Sequence, residues 1–269
     1  MTVRRLTCFA VAAATLLAAC ASTTKPGVVG AQRSQLMLVS ADQVEQMALV
    51  NYTQQNQKAQ SEGKLVTHGA ELERLKRVAA RLEKQVGVFR DDAVKWNWQV
   101  VLIDAPILNA SCAPGGKITF YTGIVRQLRL TDDEIAIVMG HEISHALREH
   151  GRERVSQAYA QNALSSAAMS AAPGSEAQIQ AANTVAHYLY VLPNSRQNES
   201  EADGMGLELA ARAGYNPNAA ISVWKKMTEA SKGKQPAEFL STHPANDTRI
   251  AELGALMPKV MPLYQATRQ

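Results

Sequence analysis

The apolar pattern predicts a mostly helical α+β chain with a small β-sheet. Capped segments with apolar residues at helical spacing recur from residue 42 to residue 256. Only short runs, at 35–40, 98–104 and 118–122, read as strands. Aromatic residues make up 5% of the chain and alanine is abundant, which suits closely packed helices.

The elements follow in chain order. Residues 1–6 form a short basic start, and 8–19 form an apolar run too short to span a bilayer. The run ends in Leu17-Ala18-Ala19-Cys20, a lipobox. Residues 1–19 therefore read as a lipoprotein signal peptide and Cys20 as the lipidation site. Residues 20–34 are small, polar and glycine-containing and read as a flexible tether. A single folded domain is expected at 35–260 and a tail at 261–269.

Within that body, 42–60 and 71–86 read as helices. A turn at Ala105-Pro106 follows the strand at 98–104. A second turn at Pro114-Gly115-Gly116 precedes the strand at 118–122. Between the turns, Asn109, Ala110, Ser111, Cys112 and Ala113 form a candidate edge strand for binding extended peptide. Further helices are expected at 154–169, 176–191, 218–231 and 246–256. The insert at 152–192 is either a mobile lid or scaffold. Residues 232–236 read as an exposed loop and 263–269 as a frayed end.

The chemistry concentrates at 131–151. Thr131 and Glu134 form a capping-box pattern, with acids in the first turn. An apolar stripe follows (Ile135, Val138, Met139, Ile143, Ala146, Leu147), and Gly151 is the expected stop. Inside it lies His141-Glu142-Ile143-Ser144-His145. Histidines four apart share a helix face, so both rings reach one ion, and Glu142 lies beside it as a general base. His150 is five residues past His145, about 140° further round, and reads as a surface residue.

A zinc hydrolase needs a third protein ligand. A third histidine in the HExxHxxGxxH pattern is excluded, because Arg148 and Gly151 hold the required places. Glu199 in Asn198-Glu199-Ser200-Glu201-Ala202-Asp203 is the alternative, with Asp203 one turn on to fix a histidine tautomer. Glu201 lies about 200° round and faces elsewhere.

These residues resemble the HtpX, LoiP and BepA-type zinc metallopeptidases, relatives of the CAAX prenyl endopeptidases. The matching pieces are His141–His145, Ser195-Arg196 leading into Glu199–Asp203, Asn109-Ala110 with Pro114-Gly115-Gly116, Gly214-Tyr215-Asn216-Pro217, and Ser241-Thr242-His243-Pro244 with Arg249-Ile250. The resemblance covers roughly residues 35–260. It implies a gluzincin fold whose sheet edge flanks the site, one Zn2+ per chain, and endopeptidase activity. It also implies His141, His145 and Glu199 as ligands and Glu142 as the base. The lipoprotein members look closer than HtpX, because no long apolar spans occur.

His243 lies before a proline that fixes its turn. It is expected to stabilise an oxyanion, to fill the open zinc position as a fourth ligand, or simply to cap a helix. After loss of 1–19, the formal charge falls from +4 by the two arginines Arg4 and Arg5 to +2, which does not point to nucleic acid. Cys112 would be the sole unmodified cysteine, so no intramolecular disulfide is expected. The reading is a zinc endopeptidase for misfolded or misassembled cell-envelope proteins, anchored by lipid at the periplasmic face of a Gram-negative outer membrane. The alternative is a chaperone or assembly factor with little proteolysis.

Overall fold

Apolar helix stripes need an apolar partner, and here they close on one small sheet. The computed structural model describes residues 20–161, 169–170, 172–231, 238–243 and 247–268. The expected signal peptide at 1–19, the loop at 232–236, Pro244 and the middle of the expected 154–169 helix lie outside the described residues.

Strand β1 (Cys20–Ala21) pairs antiparallel with β2 (Gln35–Leu36). The segment expected as a flexible tether therefore lies against the body. Its further ties are Lys25 N to Phe89 O at 2.8 Å, and Val28 N to a Glu208 carboxylate oxygen at 2.8 Å. Strand β2 is shorter than expected because the next amides go elsewhere. Leu38 and Val39 donate to Ser156 Oγ, and Ser40 caps α1 (Ala41–Ser61) in a capping box with Gln43.

β3 (Leu65–Val66) and α2 (Ala70–Glu83) follow. The helix expected to reach residue 86 stops at Glu83, and Val86 is buried in a 3-10 turn (Val86–Val88). Then come β4 (Gln99–Ile103), β5 (Ala110–Ala113), β6 (Lys117–Tyr121) and the short α3 (Thr122–Gln127). The four-stranded sheet has the order β3-β4-β6-β5. β4 and β6 run parallel, and the outer strands are antiparallel to their neighbours. β5 is an edge strand, in the position the turn signals suggest.

The remaining helices are α4 (Asp132–Leu147), α5 (His150–Ala160), α6 (Glu176–Ala186), α7 (Arg196–Arg212), α8 (Ala219–Ser231), α9 (Glu238–Thr242) and α10 (Asp247–Ala266). α6 runs into a π-turn (His187–Val191). Leu102, Ile118 and Phe120 of the sheet share one core with Ile135, Met139 and Ile143 of α4 and with Leu75 and Leu82 of α2, all fully buried. Each such side chain contributes about 1.5–3 kcal/mol by burial. A second cluster joins α1 (Val44, Met47), α5 (Val155, Ala158) and α6 (Ala181, Ala182, Val185), so the described parts of the 152–192 insert pack as scaffold.

Two further boundaries differ from expectation. The chain does not stop at Gly151: α4 ends at Leu147, and Glu149 takes a left-handed conformation (φ 53°) before α5 begins. The expected frayed tail is instead the end of α10, where Val260 is fully buried and Leu263 and Tyr264 pack on the core.

Candidate metal centre

α4 is fixed at its start before it carries any chemistry. Thr131 Oγ1 accepts from Glu134 N, and Glu134 accepts in return from Thr131 N at 2.9 Å. Ser222 Oγ and Lys226 Nζ of α8 both reach the same carboxylate at 2.7 Å. Two turns on, α4 crosses α7 with no room for side chains. A Cβ on Gly206 would lie 2.6 Å from His141 N, and one on Gly140 would lie 2.8 Å from Gly206 O. That close approach brings Glu199, in the first turn of α7, under the two histidines. The start of α7 is held by Ser195, whose Oγ accepts from Asn198 N at 3.1 Å.

His141, His145, Glu199 and His243 form one buried cluster. His141 Nε2 lies 3.1 Å from His145 Nε2 and 3.2 Å from His243 Nδ1. Glu199 Oε1 lies 3.0 Å from His243 Nδ1 and 3.4 Å from His145 Nε2. An ion with tetrahedral bonds of zinc length separates its donor atoms by about 3.3 Å. The donor set therefore fits one zinc ion.

The proton arrangement agrees. Asp203 Oδ1 stands 3.0 Å from His141 Nδ1, where a carboxylate favours the tautomer protonated at Nδ1 and bare at Nε2 toward the cluster. Arg249 of α10 donates to Asp203 at 2.7 and 2.8 Å and meets Glu199 Oε2 at 2.7 Å. Its guanidinium lies 3.7 Å over the Trp224 ring. Burial would raise the Asp203 pKa, but Arg249 and His141 hold it below the ordinary value. Burial opposes ionisation of Glu199 too, yet His243 and His145 hold its carboxyl well below the usual range. Burial keeps His145 neutral, the form a ligand needs.

Glu142 sits beside the cluster, its Oε1 buried without a hydrogen bond and 3.4 Å from His243 Nε2. The His243 ring stacks on Phe239 with centroids 4.4 Å apart, and Asn194 N bonds the carbonyl of the preceding Thr242. A cavity of about 330 Å³ opens between this group and β5. Asn109, Ser111, Glu142, His145, Tyr190 and His243 are among its walls. Cys112 on β5 is buried and free.

Of two neighbouring residues, one stands where expected and one does not. Glu201 does face away from the cluster, toward Arg148, Arg33 and His150. His150 is not on the surface but fully buried, with Nδ1 2.9 Å from His145 Nδ1. The break at Glu149 turns it back, where an unbroken helix would have carried it away. Sequence spacing also missed Arg249 and Trp224, which no helical period ties to α4.

The sequence model described as Peptidase family M48 matches residues 69–257. The mitochondrial metalloendopeptidase OMA1 of Arabidopsis thaliana is 36% identical over 175 residues, 63% of this chain and 34% of that protein. The Saccharomyces cerevisiae protein of the same name is 34% identical over 179 residues, 65% of this chain and 50% of that protein. The beta-barrel assembly-enhancing protease of Escherichia coli is 27% identical over 169 residues, 60% of this chain and 34% of that protein. The chain thus spans only a third to a half of the length of these relatives. The comparison corrects the Gram-negative outer-membrane, periplasmic location expected above, because the plant and yeast relatives are named as mitochondrial enzymes. A basic start, an apolar run and the four-residue lipobox Leu17-Ala18-Ala19-Cys20 were too short a signal to carry that address.

Proposed function

Because the chain belongs to peptidase family M48, a family of zinc-dependent metallopeptidases, we propose that it is an endopeptidase using His141, His145 and Glu199 as zinc ligands and Glu142 as general base. The observation that carries the reading is the donor tetrahedron, with three imidazole nitrogens and a carboxylate oxygen at zinc-ligand spacing inside a buried pocket.

Bound zinc supplies Lewis acidity, which activates water and polarises a carbonyl. The rest falls to this chain's own groups. Asp203 holds the His141 ring in its ligating tautomer, and Arg249 holds both Asp203 and Glu199. Glu142 takes a proton from the attacking water and returns it to the leaving amine. β5 offers an edge beside the site, along which an extended segment can add as a further strand. Unfolded or misassembled proteins, which expose such segments, are the proposed substrates. The Escherichia coli relative, by its name a beta-barrel assembly-enhancing protease, is in keeping with clients that pair as strands.

Glu142→Gln tests the reading. The purified variant is expected to retain about one zinc per chain and to lose cleavage of an unfolded protein by about 10²–10⁴-fold. Undiminished cleavage would overturn the assignment of the base. Full function of the variant in place of the wild type would favour a strand-binding chaperone instead.

A further inference from the structure

We propose that His150 and Glu201 are positioning residues for the metal centre, acting through His145. The inference rests on the zinc reading above and deepens it.

The argument is one of proton counting along a buried chain of atoms. Glu201 Oε1 accepts from Arg148 Nη2 at 2.9 Å, and Oε2 faces both Arg33 and His150 Nε2, the latter at 3.0 Å. A carboxylate between two guanidiniums accepts and does not donate, so the His150 proton stands on Nε2. A neutral imidazole carries one N–H, which leaves His150 Nδ1 bare. Its neighbour at 2.9 Å is His145 Nδ1, so His145 is the donor in that contact. The His145 proton is then on Nδ1, and its Nε2 lone pair points at His141 Nε2 and Glu199, where the ion belongs.

Glu201 thereby sets the tautomer of a ligand it never touches, through one intervening ring. Asp203 does the same directly for His141. Both carboxylates lie on α7: Asp203 meets its histidine directly, and Glu201 reaches the other through His150, across the break at Glu149. That role gives a reason for the left-handed backbone at a non-glycine residue. Without it, His150 would not reach His145.

The test compares three purified proteins: wild type, His150→Leu and His150→Asn. Zinc affinity is read by competition with a chromophoric chelator. An Asn side chain places its carbonyl oxygen near the Nδ1 position and still accepts from His145, whereas Leu fills the space and accepts nothing. His150→Leu is expected to bind zinc about 10–100-fold more weakly, and His150→Asn to recover most of that loss. A merely space-filling His150 predicts the opposite order, with Leu tolerated and Asn harmful in this buried place. In parallel, nitrogen NMR of histidine-labelled wild-type protein is expected to show His150 protonated at Nε2 and bare at Nδ1. This arm stands even where a variant does not fold. A proton on His150 Nδ1, or wild-type zinc affinity in His150→Leu, would overturn the inference alone. A wild type that binds no zinc would overturn the peptidase reading and this inference with it.

Discussion

His243 is the residue whose role the structure sharpens most. Its Nδ1 sits at ligand spacing from both His141 and Glu199, so a fourth donor is within reach of an ion held by the other three. Catalytic zinc sites keep one position open, whereas closed sites are structural. We propose that, of the readings open to a histidine in a proline-bounded turn, His243 fills the fourth position. His243→Ala is then expected to raise cleavage of an unfolded protein while zinc content stays unchanged. A fall of about 100-fold or more at equal zinc would instead mark His243 as an oxyanion donor. At this scale the sequence was most informative where a fixed period linked the groups. His141 with His145, and Glu199 with Asp203, follow from the helical turn. His150 was misplaced because the backbone reversal at Glu149 has no signature in a non-glycine residue. Arg249 reaches Asp203 from 46 positions further along the chain, and only tertiary packing joins them.

At the scale of elements, the contact between α4 and α7 decides how well the donors are held. Gly206→Ala would force the two helices apart against backbone atoms, so it is expected to cost about 1–3 kcal/mol and to weaken zinc binding. Gly204→Ala is the control, because its Cβ would meet only the side chains of Leu256 at 3.4 Å and Val29 at 3.5 Å, and a helical Gly→Ala change is otherwise favourable by up to about 1 kcal/mol. Equal behaviour of the two variants in denaturant titrations and zinc competition would refute the close-contact argument. The start of α4 carries a pH dependence. Burial would raise the Glu134 pKa, but Lys226, Thr131 and Ser222 together hold it below the ordinary value. A depressed carboxyl stabilises the fold above its unfolded pKa, and that stability is lost as pH falls through the folded value. Wild type is therefore expected to lose more stability than Glu134→Gln on going from neutral to acid pH, in parallel denaturant titrations of the metal-free proteins. Parallel curves would show that the cap carries no linkage. The capping box itself was legible, since its two residues are three apart. The stop was not, since the true break lies before the glycine that normally signals one.

The whole molecule repeats that contrast. Helix content, the hairpin of β5 and β6, and the edge position of β5 follow from turn residues and local periods. The order of the sheet, with β4 parallel to β6, depends on pairing that no local pattern encodes. The segment at 20–34 was read from composition as a tether, but composition does not register Arg33, which grips Glu153 and Asn198 at 2.6 and 2.8 Å. Nor does it register Thr23, whose hydroxyl donates to the Arg148 carbonyl at 3.0 Å. Small polar residues are as suited to lying along a polar seam as to floating free. Among the described residues no helix is long and apolar enough to cross a membrane.

The four donor atoms belong to distant stretches of chain: Glu199 and His243 are 44 residues apart, and His141 and His243 are 102 apart. An ion held by all of them is a topological staple. It closes two large loops in a protein whose free cysteine, Cys112, is buried. In the chain-entropy picture a covalent link closing a loop of about 100 residues is worth nearly 5 kcal/mol, and a metal link draws on the same loss of unfolded-state freedom. Chelation should therefore lower the melting temperature as well as stop turnover, and it should do so equally in Glu142→Gln, whose donors are intact and which cannot digest itself. An unchanged melting curve after chelation would show that the loops are closed without the ion. If the staple holds, activity and durability share one atom, and a cell that withholds zinc would mark this protein for unfolding at the moment it falls idle.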